Sequence, residues 1–291
     1  MIRHFQIHEV SDYINWIYFF HTWSFTPKFA AIANVHECDA CRLQWIRSFS
    51  LEEQPKAAEA SELYREAVQM LNKLDRHYRT HGIFLLTDAN SDGDDLILNG
   101  IRLPLLRQQS DNSNFLCLSD FVRPLSSGIT DRVGVFATTI DSKIDHLYGD
   151  DDYKRLLVQV LGDRLAEATA ECFHEQIRKS IWGYAPDEHL TVDQLHKEEY
   201  QGIRPAVGYP SMPDVSVNFI IDKLIDMKQI GIRLTENGMM QPHASVSGLM
   251  FSHPKARYFE VGKIGTDQLE DYARRKGVST DLAEKYLANN L

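Results

Sequence analysis

Basic residues are in the minority in this chain of 291 residues: 31 Lys and Arg stand against 41 Asp and Glu, a formal net charge of −10 at pH 7. No positive field is available for a phosphate backbone, so nucleic acid is not an expected partner. Long apolar runs are missing as well. No segment reaches the roughly 20 residues needed to span a bilayer, and the N-terminus, Met1-Ile-Arg-His-Phe-Gln-Ile-His-Glu9, is too polar for a signal peptide. A cytoplasmic protein with no membrane contact is expected. Cysteine is scarce; the four, Cys38, Cys41, Cys117 and Cys172, are too few for a disulfide framework. Cys38-Asp-Ala-Cys41 has the spacing of a redox pair or of half a zinc site. Zinc needs two further ligands and a redox pair needs thioredoxin-like surroundings, and neither is visible. Compact ligand spacing for a metal-dependent hydrolase is also absent. No Pro/Gly/Ser-rich linker, repeat or low-complexity tract divides the chain, so residues 1–291 read as one domain, with 43% hydrophobic residues to fill its core.

What is present is a mixture of helical and strand periodicities. Leu63, Ala67, Met70, Leu71 and Leu74 recur at helical spacing and predict an amphipathic helix over 59–78, with Ser61 near its start. Short β-type runs follow at 82–87, 95–98, 115–122 and 132–140. The longest periodic stretch is 151–182, where Leu157, Leu161, Leu165, Ala168 and Cys172 form one stripe and Gly183 is placed to end the helix. Further strands are expected at 245–251 and 258–263, and two short helices in 266–291. Strands bunched between helices, without βαβ alternation, predict an α+β fold with a largely antiparallel sheet and long flanking helices.

Three segments carry polar groups in suggestive order. Asp88-Ala-Asn90-Ser-Asp92-Gly93 imitates half of a calcium loop, but its twelfth position is Asn99 in place of a bidentate glutamate, and a turn between strands is the better reading. On the long helix Asp163, Glu167 and His174 project opposite the apolar stripe, where they can cluster or make an ordinary solvated face. The segment 198–210, Glu-Glu-Tyr-Gln-Gly-Ile-Arg-Pro-Ala-Val-Gly-Tyr-Pro, is rigid and non-helical, and its backbone groups cannot all pair within it. Arg204 can grip a carboxylate and Glu198 can take an ammonium, the two ends of an amino acid; a surface loop with a salt bridge is the plainer alternative.

Arg204-Pro-Ala-Val-Gly-Tyr-Pro210 resembles the Arg-Pro-x-x-Gly-Tyr-Pro signature of the activation domain of cobalamin-dependent methionine synthase. Other segments resemble that domain in the same order. They are Tyr13-Ile-Asn-Trp16 with Phe19, Phe20 and Trp23, then Ala166-Glu-Ala168, Trp182-Gly-Tyr-Ala-Pro186, Ala244-Ser-Val-Ser-Gly248, Phe251-Ser-His-Pro254 and Asp271-Tyr-Ala-Arg-Arg-Lys-Gly277. The resemblance implies a C-shaped α+β domain that binds S-adenosyl-L-methionine (AdoMet). Such a module restores methylcobalamin from cob(II)alamin, with cobalamin carried by a partner domain, in cis or in trans, and one electron supplied by a flavodoxin-like donor.

Residue by residue, the resemblance assigns Arg204 to the AdoMet carboxylate, Glu198 to its ammonium side, Tyr209 to the wall of the AdoMet site that faces the cobalamin, and Tyr258 with Phe259 to the adenosine portion. Asp163 and Glu167 match helix carboxylates that approach the displaced cobalt-ligand histidine; no role carries over to His174. Asn15 stands where the family usually has an aspartate in contact with AdoMet. The Asp-x-His-x-x-Gly motif of the lower cobalt ligand is missing, since Asp187-Glu-His189-Leu-Thr-Val192 lacks its glycine. The chain by itself is therefore expected not to make methionine. A regulatory or interaction protein of the same fold, binding AdoMet without methyl transfer, is the alternative, and Asn15 is its argument.

Overall fold

The computed structural model describes residues 1–109 and 115–291. The chain opens with strand β1 (Ile2–Gln6), helices α1 (Ile7–Ser11) and α2 (Trp16–Thr22), a 3-10 stretch over Pro27–Asn34, α3 (Asp39–Arg47) and the long α4 (Gln54–Asp75). Strands β2 (Arg79–Asp92), β3 (Asp95–Leu98), β4 (Ile101–Pro104) and β5 (Asp131–Ile140) follow. Next come α5 (Asp152–Gln176), α6 (Val192–His196), α7 (Asn218–Ile225), the two-residue strands β6 (Arg233–Leu234) and β7 (Met240–Gln241), and β8 (Ser245–Met250). Helices α8 (Thr266–Lys276) and α9 (Thr280–Tyr286) close the chain.

The main sheet runs β4-β3-β2-β5-β8, with every pairing antiparallel. β2 is its spine. β5 lies along residues 80–89 on one edge, while β1 and β3 share the other edge at residues 79–83 and 89–92. Both faces are covered, which explains why β5 reads as an apolar run without alternation: every residue from Val133 to Ile140 is buried. Phe84, Phe136 and Met250 point into one core with α4 and α5. Ile83, Val135, Ala137 and Leu249 point into a second with α7. Gly134 lets the first core close, because a Cβ there would meet the Phe84 ring at 2.6 Å. The expected α+β class and its antiparallel sheet with flanking helices are thus present.

The α5 stripe is buried as its spacing required, and the helix continues as a π-type turn over Ile177–Ile181 before Gly183, at φ +75°, ends it. α4 begins earlier than periodicity indicated, with Pro55 in its first turn, where the missing N–H costs no hydrogen bond; Ser61 lies buried within the helix. Two expected strands are absent. In 115–122 a 3-10 turn forms at Leu118–Phe121, held by the Cys117 N–H donating to Asp120 at 2.8 Å. Residues 258–263 form no ladder, and Gly262 turns left-handed at φ +70°; Val261 N–H donates to the Pro210 carbonyl at 2.9 Å. The calcium-like segment is mostly strand, since 88–92 belong to β2 and the turn is confined to Gly93 and Asp94.

The 271–277 motif proves architectural. Tyr272 donates to Asp214 at 2.7 Å, Lys276 donates to the same carboxylate, and Arg275 reaches Asp95, which ties α8 to β3 and to the loop before α7. Among the described residues, no helix is long and apolar enough to cross a membrane.

Candidate functional site

The Arg204-Pro-Ala-Val-Gly-Tyr-Pro210 segment is docked on β8 instead of forming a free loop. Ile203 and Phe251 exchange both backbone hydrogen bonds, at 3.0 and 2.9 Å. Leu249 N–H donates to Pro205 O at 3.1 Å, and Val207 N–H donates to Ser247 O at 2.9 Å. As expected, these backbone groups do not pair within the segment; β8 and the residue after it supply the partners, which leaves those groups unavailable to a ligand. Two glycines permit the approach. A Cβ on Gly248 would lie 2.2 Å from the Pro205 carbonyl oxygen, and one on Gly202 would lie 2.1 Å from that of Phe251. The prolines donate nothing to the ladder, so they fix the segment's course without competing for it.

This docking turns Arg204 toward α5. Its Nη2 donates to Glu171 Oε2 at 2.8 Å, and its guanidinium lies 5.8 Å from the Phe136 ring. Each side chain of the pair is only 10% exposed. Burial opposes the Arg204 charge, but Glu171 and the nearby tyrosines outweigh it and hold the guanidinium above its ordinary value. Arg204 N–H donates to the Tyr258 hydroxyl at 2.8 Å, which is hydrogen-bonded to the Tyr200 hydroxyl at 2.9 Å. Two polar atoms of the pair, Arg204 Nε and Glu171 Oε1, are buried without a hydrogen-bond partner.

Above the pair opens a cavity of about 700 Å³. Arg164, Glu167, Ala168 and Glu171 line it at helical spacing from one face of α5. The other walls bring together Asn15, Glu198, Arg204, Tyr209, Tyr258 and Phe259, the six residues that the sequence assigned to one ligand. Glu198 holds a left-handed φ of +59°. Partial burial, and then the Glu171 carboxylate, push its carboxyl above the ordinary range, while Arg204 pulls the other way. Tyr209 is half exposed at the mouth and donates to Glu167. Asn15 caps α2, its Oδ1 accepting Ile17 N–H at 3.1 Å, so its amide also has a structural use. Three carboxylates line the cavity against two guanidiniums, leaving a surplus of one negative charge.

The helix carboxylates and histidine do not cluster. Asp163 faces exposed His243 at 3.2 Å and does not line the cavity, whereas Glu167 does. His174 is fully buried, on no solvated face; it lies 3.4 Å from the Tyr184 hydroxyl and edge-on to Tyr200. Burial, reinforced by Arg178 and Arg204, holds its imidazole neutral and well below its ordinary range. Beneath it Arg178, wholly buried, contacts Glu188 at 2.7 Å and lies 4.2 Å from the Tyr200 ring. Sequence reasoning missed Glu171, the direct partner of Arg204. The one available signal was its place one turn beyond Glu167 on the helix.

A family model described as the vitamin B12 dependent methionine synthase activation domain matches residues 6–277. Among solved structures, the MetH reactivation domain bound to AdoHcy is similar at 38% sequence identity with a TM-score of 0.87, covering 100% of this chain and 90% of that one.

Proposed function

The chain belongs to the family of vitamin B12 dependent methionine synthase activation domains, and we propose from that premise that it binds AdoMet in the cavity on α5 and supports reductive methylation of cob(II)alamin. One observation carries the reading: the six residues assigned to AdoMet from sequence all line a single cavity. The similar domain named above is bound to AdoHcy, the demethylated counterpart of this ligand. The cavity chemistry fits. Arg204 with its unpartnered Nε suits a carboxylate; Glu198 and the free Glu171 oxygen suit an ammonium. The one-charge surplus matches a ligand with one net positive charge, as AdoMet has when its sulfonium is counted.

AdoMet would supply a methyl group on a cationic sulfur, and a partner domain's cobalamin would supply the metal that receives it; that methyl transfer needs no general acid or base from this chain. The protein's contribution is positioning. Arg204 and Glu198 hold the amino-acid end, Tyr258 and Phe259 flank the adenosine, and half-exposed Tyr209 stands at the mouth toward the incoming domain. Glu167, beside Tyr209, and Asp163, one turn earlier, are assigned to docking the cobalamin domain and its released histidine. The electron donor is assigned as flavodoxin-like.

Titration calorimetry with AdoMet and AdoHcy, followed by methylation of photoreduced cob(II)alamin on a separate cobalamin domain, tests the reading in two steps. Binding of AdoMet with methyl transfer supports it. AdoMet binding without transfer favours the regulatory alternative, and absence of binding overturns both. The capping bond made by Asn15 weakens the argument for that alternative, because an amide at this position has a use independent of lost function.

A further inference from the structure

Outside this cavity, where the chain enters α3, His36-Glu-Cys38-Asp-Ala-Cys41 folds back on itself. Cys38 caps the helix, its Sγ accepting the Cys41 N–H at 3.3 Å, and the Cys38 N–H donates to His36 Nδ1 at 3.3 Å. These two bonds draw three side chains together: the ligand atoms of His36, Cys38 and Cys41 all lie within 4.8 Å of one another. Both thiols are free, His36 and Cys38 are exposed and Cys41 is half-buried, so an ion reaches them without opening the core. The pair that seemed two ligands short of a zinc site is one short, because His36 supplies the third.

We propose that His36, Cys38 and Cys41 bind a single Zn²⁺ ion, with the fourth tetrahedral position open to water or an added ligand. Two thiolates and an imidazole form a borderline-soft set that suits zinc and disfavours magnesium or calcium. Zinc–sulfur bonds near 2.3 Å and zinc–nitrogen bonds near 2.0–2.1 Å place tetrahedral ligand atoms about 3.4–3.8 Å apart. A contraction of about 1 Å from the observed limit is within reach of side-chain rotations at the surface. Each thiol releases its proton to solvent as its bond to zinc forms, while the neutral imidazole donates a lone pair, so two protons leave per ion bound. The competing use of the two thiols is a Cys38–Cys41 disulfide, in which His36 has no part.

The test uses the whole chain, reduced and freed of metal with a chelator, titrated with Zn²⁺ against a chromophoric competitor and separately with Co²⁺ as a spectroscopic substitute. One ion per chain is expected, with a thiolate-to-cobalt charge-transfer band. Cys38→Ser keeps a capping side chain and so preserves α3; it is expected to lose most of that band, as is Cys41→Ser. His36→Gln is expected to keep the band and weaken Zn²⁺ binding at least ten-fold. Unchanged circular dichroism and AdoMet affinity in all three variants confirm that the fold is intact. No charge-transfer band in the reduced protein, undiminished metal uptake by Cys38→Ser, or unchanged affinity in His36→Gln each overturns the proposal.

Discussion

Nη2 of Arg204 lies 2.8 Å from Oε2 of Glu171, joining the segment docked on β8 to α5 through an ion pair in which both side chains are nearly buried. The residue expected to grip the ligand from a loop is therefore also part of the scaffold, and deleting it does more than remove a contact.

Arg204→Ala is expected to abolish measurable AdoMet binding and also to destabilise the fold. Breaking a buried pair by removing one partner costs about 3–5 kcal/mol, since the Glu171 charge is left uncompensated. The double variant Arg204→Met with Glu171→Gln removes both charges and should recover much of that stability while still failing to bind. Denaturant unfolding and calorimetry on the two variants separate the effects; binding by the folded double variant would refute the assignment of Arg204 to the ligand.

Gly248→Ala should loosen the site from a distance. The added Cβ lies 2.2 Å from Pro205 O and 2.9 Å from Ala206 Cα, so the docked segment must move off β8. Backbone atoms cannot yield as the tip of a flexible side chain can. Lower thermal stability, faster amide exchange at Val207 and Leu249, and at least ten-fold weaker AdoMet binding are the expected results. Native-like exchange in the variant would show that the segment tolerates the displacement.

Asn15→Asp tests a position with two roles. Aspartate caps a helix as well as asparagine does, so α2 should be unaffected. A carboxylate beside a cationic ligand makes a charge-assisted hydrogen bond, stronger by about 1 kcal/mol, and AdoMet should bind about five- to ten-fold more tightly. AdoHcy is the control: a gain confined to AdoMet places residue 15 near the sulfonium, and an equal gain for both places it near a shared group. No gain in either leaves Asn15 as a cap alone.

The raised Glu198 carboxyl predicts a pH dependence of binding. In the free protein its pKa lies above the ordinary 4.5, and a bound ammonium favours the charged form, lowering that value. AdoMet affinity should thus be complete above the free-state pKa and fall as pH drops through it, with proton release on binding in that range. Calorimetry in buffers of different ionisation enthalpy reads the released proton directly. Glu198→Gln should bind more weakly and lose this pH dependence; an unchanged pH profile in the variant removes Glu198 from the site.

His174 predicts acid sensitivity of the fold itself. Its folded pKa is held well below 6.5, so below that pH the unfolded chain takes up a proton that the folded one refuses. Stability contributed by the neutral imidazole is present above pH 6.5 and is lost as pH falls toward the folded value, by at most about 1.4 kcal/mol per pH unit for one proton. His174→Gln should flatten this part of the stability-versus-pH curve relative to the unsubstituted chain. Parallel curves would show that other groups govern the acid limb.

The sequence by itself determined the elements with strong periodicity and the identity of the family. The α5 stripe from Leu157 to Cys172 is buried as its spacing demands, and Gly183 ends the helix because only a left-handed residue fits there. Asn15, Glu198, Arg204, Tyr209, Tyr258 and Phe259 were nameable together because the segments that carry them follow a recognisable order, and they prove to share a cavity. Tertiary structure alone decided what each group touches. Whether 258–263 becomes a strand depends on a free sheet edge, and the edge of β8 is already taken by 203–207. His174 is buried because Tyr184 and Tyr200 close over a helix face that periodicity reads as solvated. Glu171 meets Arg204 across 33 positions of chain, and His36 joins Cys38 and Cys41 only because the backbone turns back at the start of α3. Periodicity records which face of an element is apolar; which polar groups meet is set by contacts between elements, where burial of one charge requires another group placed by a different part of the chain.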